Sequence, residues 1–194
     1  MLGQQFDQPV EADDNHERRR HPRRSVFKTA LVFPILKEVG LSLENISQNG
    51  LSGICALNLS IRQPVHISFD HRCFLAAEVR WVNGKQCGLM LEDPLLLPNC
   101  AGPISPPPDL DLEPRATRIA VDLLATLVTS GPMLAGTIRN MSDEGMMIEI
   151  GGRVAEGERL LVRVKGQDSA VIGRVQWASG PMAGVFFEPV SLTV

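Results

Sequence analysis

A six-residue pattern occurs twice at a fixed distance. Asn45-Ile46-Ser47-Gln48-Asn49-Gly50 returns as Asn140-Met141-Ser142-Asp143-Glu144-Gly145, every landmark displaced by 95 residues. Arg23 and Arg118 share that offset, and Trp81 and Gly88 return as Trp177 and Gly184 at 96, so one residue has been inserted between the landmarks. An ordered series at one nearly constant offset marks a duplicated folding unit. Whatever architecture one copy takes, the other must share it.

The rest of the chain divides accordingly. Residues 1–15 are polar and acidic without periodicity and read as a disordered tail. Between Leu97 and Leu112 five prolines deny the chain both helix and sheet interior, so residues 98–112 are expected to be a linker. The two units are then 16–97 and 113–194. Both carry the period-2 alternation of half-buried strands: Val65, Ile67 and Phe69 in one, Met146, Ile148 and Ile150 in the other. Leu75, Ala77, Val79 and Trp81, and Leu160, Val162 and Val164, repeat the pattern. Asn49-Gly50, Asn83-Gly84 and Ser179-Gly180 sit between apolar runs, where a hairpin needs residues that tolerate positive φ. About six short strands per unit and no long amphipathic helix predict an all-β chain. It consists of two tandem small six-stranded antiparallel β-barrels, since short one-faced strands hide their edges best by closing.

Several function classes are excluded at this level. With 19 basic against 22 acidic residues the net charge is −3, which is not that of a globally basic nucleic-acid binder. No apolar run approaches the ~18 residues that span a bilayer, and no signal-peptide core is visible, so the chain reads as cytoplasmic, without membrane insertion. Cys55, Cys73, Cys87 and Cys100 form no CxxC pair and read as reduced thiols rather than a disulfide framework or zinc site. His66 and His71 have no partner at metal-ligand spacing and read as surface histidines. Ser68, Asp70 and His71 are sequence neighbours without a nucleophile elbow, and neither a P-loop nor a dinucleotide fingerprint occurs. No catalytic, metal or cofactor site is expected.

The chemistry lies in His16-Glu-Arg-Arg-Arg-His-Pro-Arg-Arg24 and the polar turn that follows. Arginine forks pair bidentately with phosphate oxygens and can also read guanine O6 and N7. Asn45 and Ser47, two apart on an extended segment, offer one amide and one hydroxyl to the same side, and Gly50 removes a side chain where a ligand approaches. The copies differ here. Arg18, Arg19 and Arg24 correspond to Glu113, Pro114 and Ile119, while Arg20 and Arg23 remain arginines as Arg115 and Arg118. Residues 16–97 hold 11 basic and 7 acidic residues, a net +4; residues 113–194 hold 8 and 9, a net −1.

Arg19-x-x-x-Arg23, preceded by Arg18, with Asn45-x-Ser47-x-x-Gly50 some twenty residues later, resembles the paired signatures of the PilZ domain, a bacterial receptor for cyclic di-GMP. The Val79-Arg80-Trp81 and Gly88-Leu89-Met90-Leu91 segments resemble its closing strands. The resemblance covers both units. It implies a non-enzymatic signalling effector whose arginine segment is a mobile arm closing over the nucleotide. Arg18, Arg19 and Arg23 would then hold phosphates and guanine edges, with Asn45 and Ser47 meeting a guanine and a nearby phosphate and Gly50 shaping the turn. Asn45 stands where the family often has Asp, so charge assistance is lost there. Lacking two charge-assisted arginine contacts would cost the second unit roughly 3–6 kcal/mol, so it is expected not to bind and to serve dimerisation or partner contact instead. Ordering about eight arm residues costs roughly 8–16 kcal/mol, which makes binding a disorder-to-order switch that a downstream protein partner or self-association could read. The alternative is a nucleotide-independent interaction adaptor. A small-barrel RNA binder is disfavoured because aromatic residues make up only 5% and tyrosine is absent, leaving few stacking platforms.

Overall fold

The structure is a computed structural model that describes residues 24–95 and 118–188. The tail 1–15, the linker 98–112 and the expected ligand arginines Arg18, Arg19 and Arg23 lie outside the described residues. Eleven strands follow in chain order. The first repeat supplies β1 (Arg24–Ser47), β2 (Gly50–Cys55), β3 (Pro64–Ser68), β4 (Phe74–Asn83) and β5 (Gln86–Leu91). The second supplies β6 (Ile119–Ser130), β7 (Leu134–Met141), β8 (Gly145–Ile150), β9 (Arg159–Val164), β10 (Ser169–Ser179) and β11 (Met182–Phe187). All pairings between them are antiparallel.

At 24 residues, β1 is about four times the usual strand length. The reason is local. In the second repeat β6 and β7 are separated by residues 131–133, with Ser130-Gly131-Pro132 offering turn chemistry, whereas the corresponding Ile35-Leu36-Lys37 offers none. The chain therefore runs on through Pro34–Lys37 and pairs along its whole length with the second repeat. Val32 stands opposite Leu134, Ala30 opposite Gly136 and Arg24 opposite Met141, while Val39 stands opposite Leu127 and Ile46 opposite Ile119.

Both expected six-stranded barrels form, and each takes its first strand from the other repeat. One barrel closes in the order β1, β2, β5, β4, β3, β6, using the C-terminal part of β1; the other closes as β1, β7, β8, β11, β10, β9, using its N-terminal part. The cores record the exchange. Ala125 and Leu127 of the second repeat pack with Leu41, Ile67 and Val79, whereas their counterparts Ala30 and Val32 pack with Ile138, Ile148 and Val185. Ile35 faces Ser130, its own counterpart at offset 95, so a pseudo-two-fold axis passes between them.

The barrels also pack side by side. Phe74, Val128, Leu161, Ala170 and Ile172 form a third buried cluster with Phe33 and Ile35, and Ser169 and Ala170 of β10 pair with Leu75 and Phe74 of β4. Across this seam Arg163 binds Glu92 and Arg159 binds Glu38, each at 2.5 Å, and Arg159 also binds Glu188 of its own barrel at 2.7 Å. Two expectations are corrected here. His66 is not on the surface: it is 3% exposed, edge-on to Phe33 at 4.9 Å, because the outer face of β3 is covered by the seam. Phe69, expected on the inner side, is instead exposed past the end of β3. Burial, reinforced by Arg163 and opposed by Glu92, pushes the His66 imidazole down to about 4.

Two outcomes follow. With Cys73 and Cys100 replaced by serine, Thr29→Cys and Thr137→Cys oxidise to an intramolecular disulfide, since the two positions are register partners. Thr29→Cys with Ser42→Cys does not, because 13 residues of strand separate them by roughly 40 Å; a chain without exchange would reverse this result under peptide mapping. For His66, the folded pKa lies below the unfolded value of 6.5, so the unfolded chain binds the extra proton between about pH 6.5 and 4. Stability therefore falls with acidification through that window, by about 3 kcal/mol at full protonation. His66→Leu removes that part of the slope in urea midpoints compared at pH 7 and 4.5, and an unchanged slope refutes the assignment.

Candidate functional site

Two bulges build the outer face of the first barrel. Inward residues of β1 fall on odd numbers at Leu41 and Leu43, then on the even Ile46, because the register shifts between Leu43 and Asn45. Without that extra residue Asn45 and Ser47 would point into the core; with it they turn outward together. A second shift between Val79 and Trp81 does the same on β4, where Val79 is buried and Trp81 is 43% exposed. Both irregularities recur in the second barrel, between Ile138 and Asn140 and between Val175 and Trp177.

The outward residues line up across the sheet. Register pairs run from Ala120 on β6 to Asn45, from Asn45 to Ser52, from Ser52 to Gly88 and from Gly88 to Trp81. The Trp-Gly spacing of the repeat is thus a cross-strand pair. A Cβ on Gly88 would lie 1.9 Å from the Trp81 indole nitrogen, so the bare glycine lets the indole lie against the neighbouring strand. Asn45 Nδ2 donates to Ser52 Oγ at 3.3 Å, and among the described residues nothing donates to its Oδ1. Ser47 Oγ donates to the Gly50 carbonyl at 3.0 Å.

Gly50 acts differently from expectation. The hairpin glycines Gly84 and Gly180 have φ of 60° and 57°, as their turns require, but the β1–β2 loop is Gln48–Asn49 and Gly50 already belongs to β2 without positive φ. A Cβ there would stand 2.7 Å from the Leu89 carbonyl oxygen, so glycine is needed for the close approach of β5.

These residues enclose an open groove of about 300 Å³ lined by Asn45, Ser47, Gly50, Trp81, Arg80 and Arg118, among others. Of the six residues assigned to the ligand from sequence, the structure brings Asn45, Ser47 and Gly50 together; Arg18, Arg19 and Arg23 lie outside the described residues. Sequence reasoning missed Arg118 as a member of this groove. It follows Arg23 at the repeat offset, but only strand exchange puts it beside the first repeat's turn. Arg80 is exposed and paired with Glu78 at 3.2 Å. The groove therefore combines cationic forks, an amide acceptor and a half-exposed indole, which is chemistry for holding an anionic aromatic ligand.

No hydrolytic constellation competes with it among the described residues. Ser68 and the backbone of Arg72 and Cys73 donate to the Asp70 carboxylate as a local turn, while His71 bonds Thr126 instead. Cys87, buried beside Cys55, has its thiol pushed up to about 12, which suppresses thiolate chemistry. No group of metal-ligating side chains and no helix long and apolar enough to cross a membrane occurs among the described residues.

No curated protein and no solved structure matches the chain. The family model described as the PilZ domain matches it twice, over residues 17–96 and 113–194. The chain belongs to the PilZ domain family, binding and effector domains for cyclic di-GMP rather than enzymes, and carries that domain in tandem.

Proposed function

We propose that this chain is a cytoplasmic effector that binds cyclic di-GMP at the outward face carrying Asn45, Ser47 and Gly50, with guanidinium groups supplied by the arginine-rich segments ahead of the strands. The observation that supports this reading is the convergence of Asn45, Trp81 and Arg118 on one groove. Arg118, which lines this groove, pairs with the phosphates and guanine edges. The Asn45 Oδ1 accepts from guanine N–H donors, held in place by the bond from its amide nitrogen to Ser52. Trp81 offers a flat apolar face to a purine. Ordering of the arginine segments on binding is the change that a downstream protein partner, or a second copy of the chain, reads.

Titration of the full chain with cyclic di-GMP by calorimetry is expected to give saturable binding. Asn45→Ala weakens it by about two- to tenfold, the range of a neutral hydrogen bond. No saturable heat up to high micromolar ligand overturns the nucleotide reading and leaves the adaptor, for which Asn45→Ala is silent.

A further inference from the structure

We propose that the cleft between the barrels, formed by His66, Ala76 and Met90 of the first and by Phe33, Arg163 and the loop residue Met133 facing them, binds a small uncharged phenol whose hydroxyl bonds the His66 imidazole. The site goes beyond the nucleotide reading and requires no nucleotide.

Strand register builds one wall of the cleft. His66 on β3 stands opposite Ala76 on β4, and Glu78 on β4 stands opposite Met90 on β5. Their neighbours Val65, Ala77 and Leu91 belong to the first barrel's core, so alternation turns His66, Ala76 and Met90 to the outside. The facing wall comes from the other body: Phe33 pairs with Leu161, Arg163 pairs with Leu31, and Met133 lies between β6 and β7. The space enclosed is about 380 Å³, within the roughly 300–1,000 Å³ usual for small-molecule pockets. Two thioethers stay largely exposed at this cleft, Met90 at 41% and Met133 at 54%, one from each wall. Met90 also lines the groove of the first turn, so the two sites adjoin on one sheet face.

An independent observation points to a ligand. The His66 side chain lines the cleft, yet its Nδ1 is buried without a hydrogen-bond partner among the described residues. A polar nitrogen left so is costly unless a partner reaches it. Burial keeps this imidazole neutral at pH 7, so Nδ1 donates or accepts according to tautomer, and a hydroxyl answers either. The charge of the guest follows from its neighbours. Arg163 is already bound to Glu92, and Glu78 to Arg80. An anion has to break the Arg163–Glu92 pair and a cation has to lie against Arg163, whereas a neutral guest leaves both pairs intact. Its body follows from the walls. The Phe33 ring and the thioethers of Met90 and Met133 offer edge and sulfur contacts that suit an aromatic ring.

Calorimetric titration of the full chain at pH 7 with para-cresol is expected to give saturable binding and to shift the imidazole nitrogen resonances of His66. Toluene, the same body without the hydroxyl, binds roughly two- to tenfold more weakly, and para-toluate gives no saturable heat. His66→Leu removes the preference for para-cresol over toluene. Ala76→Phe fills the cleft from a position that faces away from the core and abolishes binding of both. The three probes on the unsubstituted chain decide the matter even where a variant does not fold. No saturable heat and an unmoved His66 resonance with para-cresol, the result for an imidazole satisfied by water alone, overturns the site. Binding that survives Ala76→Phe in a folded chain overturns its location, and para-toluate binding as tightly as para-cresol overturns the class of ligand.

Discussion

The continuous antiparallel pairing of Arg24–Ser47 with Ile119–Met141 holds the two barrels in one assembly. Each barrel is a closed sheet only because this ribbon contributes a strand to it, and a six-stranded barrel with one strand withdrawn exposes two edges of unpaired N–H and C=O groups. The same ribbon brings Leu127 into one core and Val32 into the other, so closure and core filling are a single event. The seam around Phe74, Val128 and Leu161 then buries the outer faces of β3, β6 and β9, which explains why these strands are buried on both sides.

The outer faces depend on the ribbon as well. Asn45 and Asn140 each follow a bulge in it, and both face outward for that reason. Placing the first turn at one end of the ribbon also places Arg118 of the other repeat in its groove.

Much of this was legible in the sequence because it is written in short-range pattern. The repeat, the period-2 alternation, the turns at Gly84 and Gly180 and the recurrence of Trp81 with Gly88 all reflect local sterics or a single cross-strand pair. The exchange was not legible, since Ala30 and Val32 have the counterparts Ala125 and Leu127, and either pair satisfies either barrel. What decides between them is the absence of a turn former at Ile35-Leu36-Lys37, a negative signal. His66 was misread because alternation reports which side of the sheet a residue faces, and a second body covers that side. Gly50 was assigned a φ requirement when its constraint is the approach of the Leu89 carbonyl, which no single-strand pattern contains.

Strand exchange between identical chains ordinarily yields a dimer that dilution can separate. Here both partners are tethered, so the encounter is intramolecular and its effective concentration is fixed by the tether, in the millimolar range for short flexible connections. The abundance of the protein in the cell then has no bearing on whether the paired barrels exist.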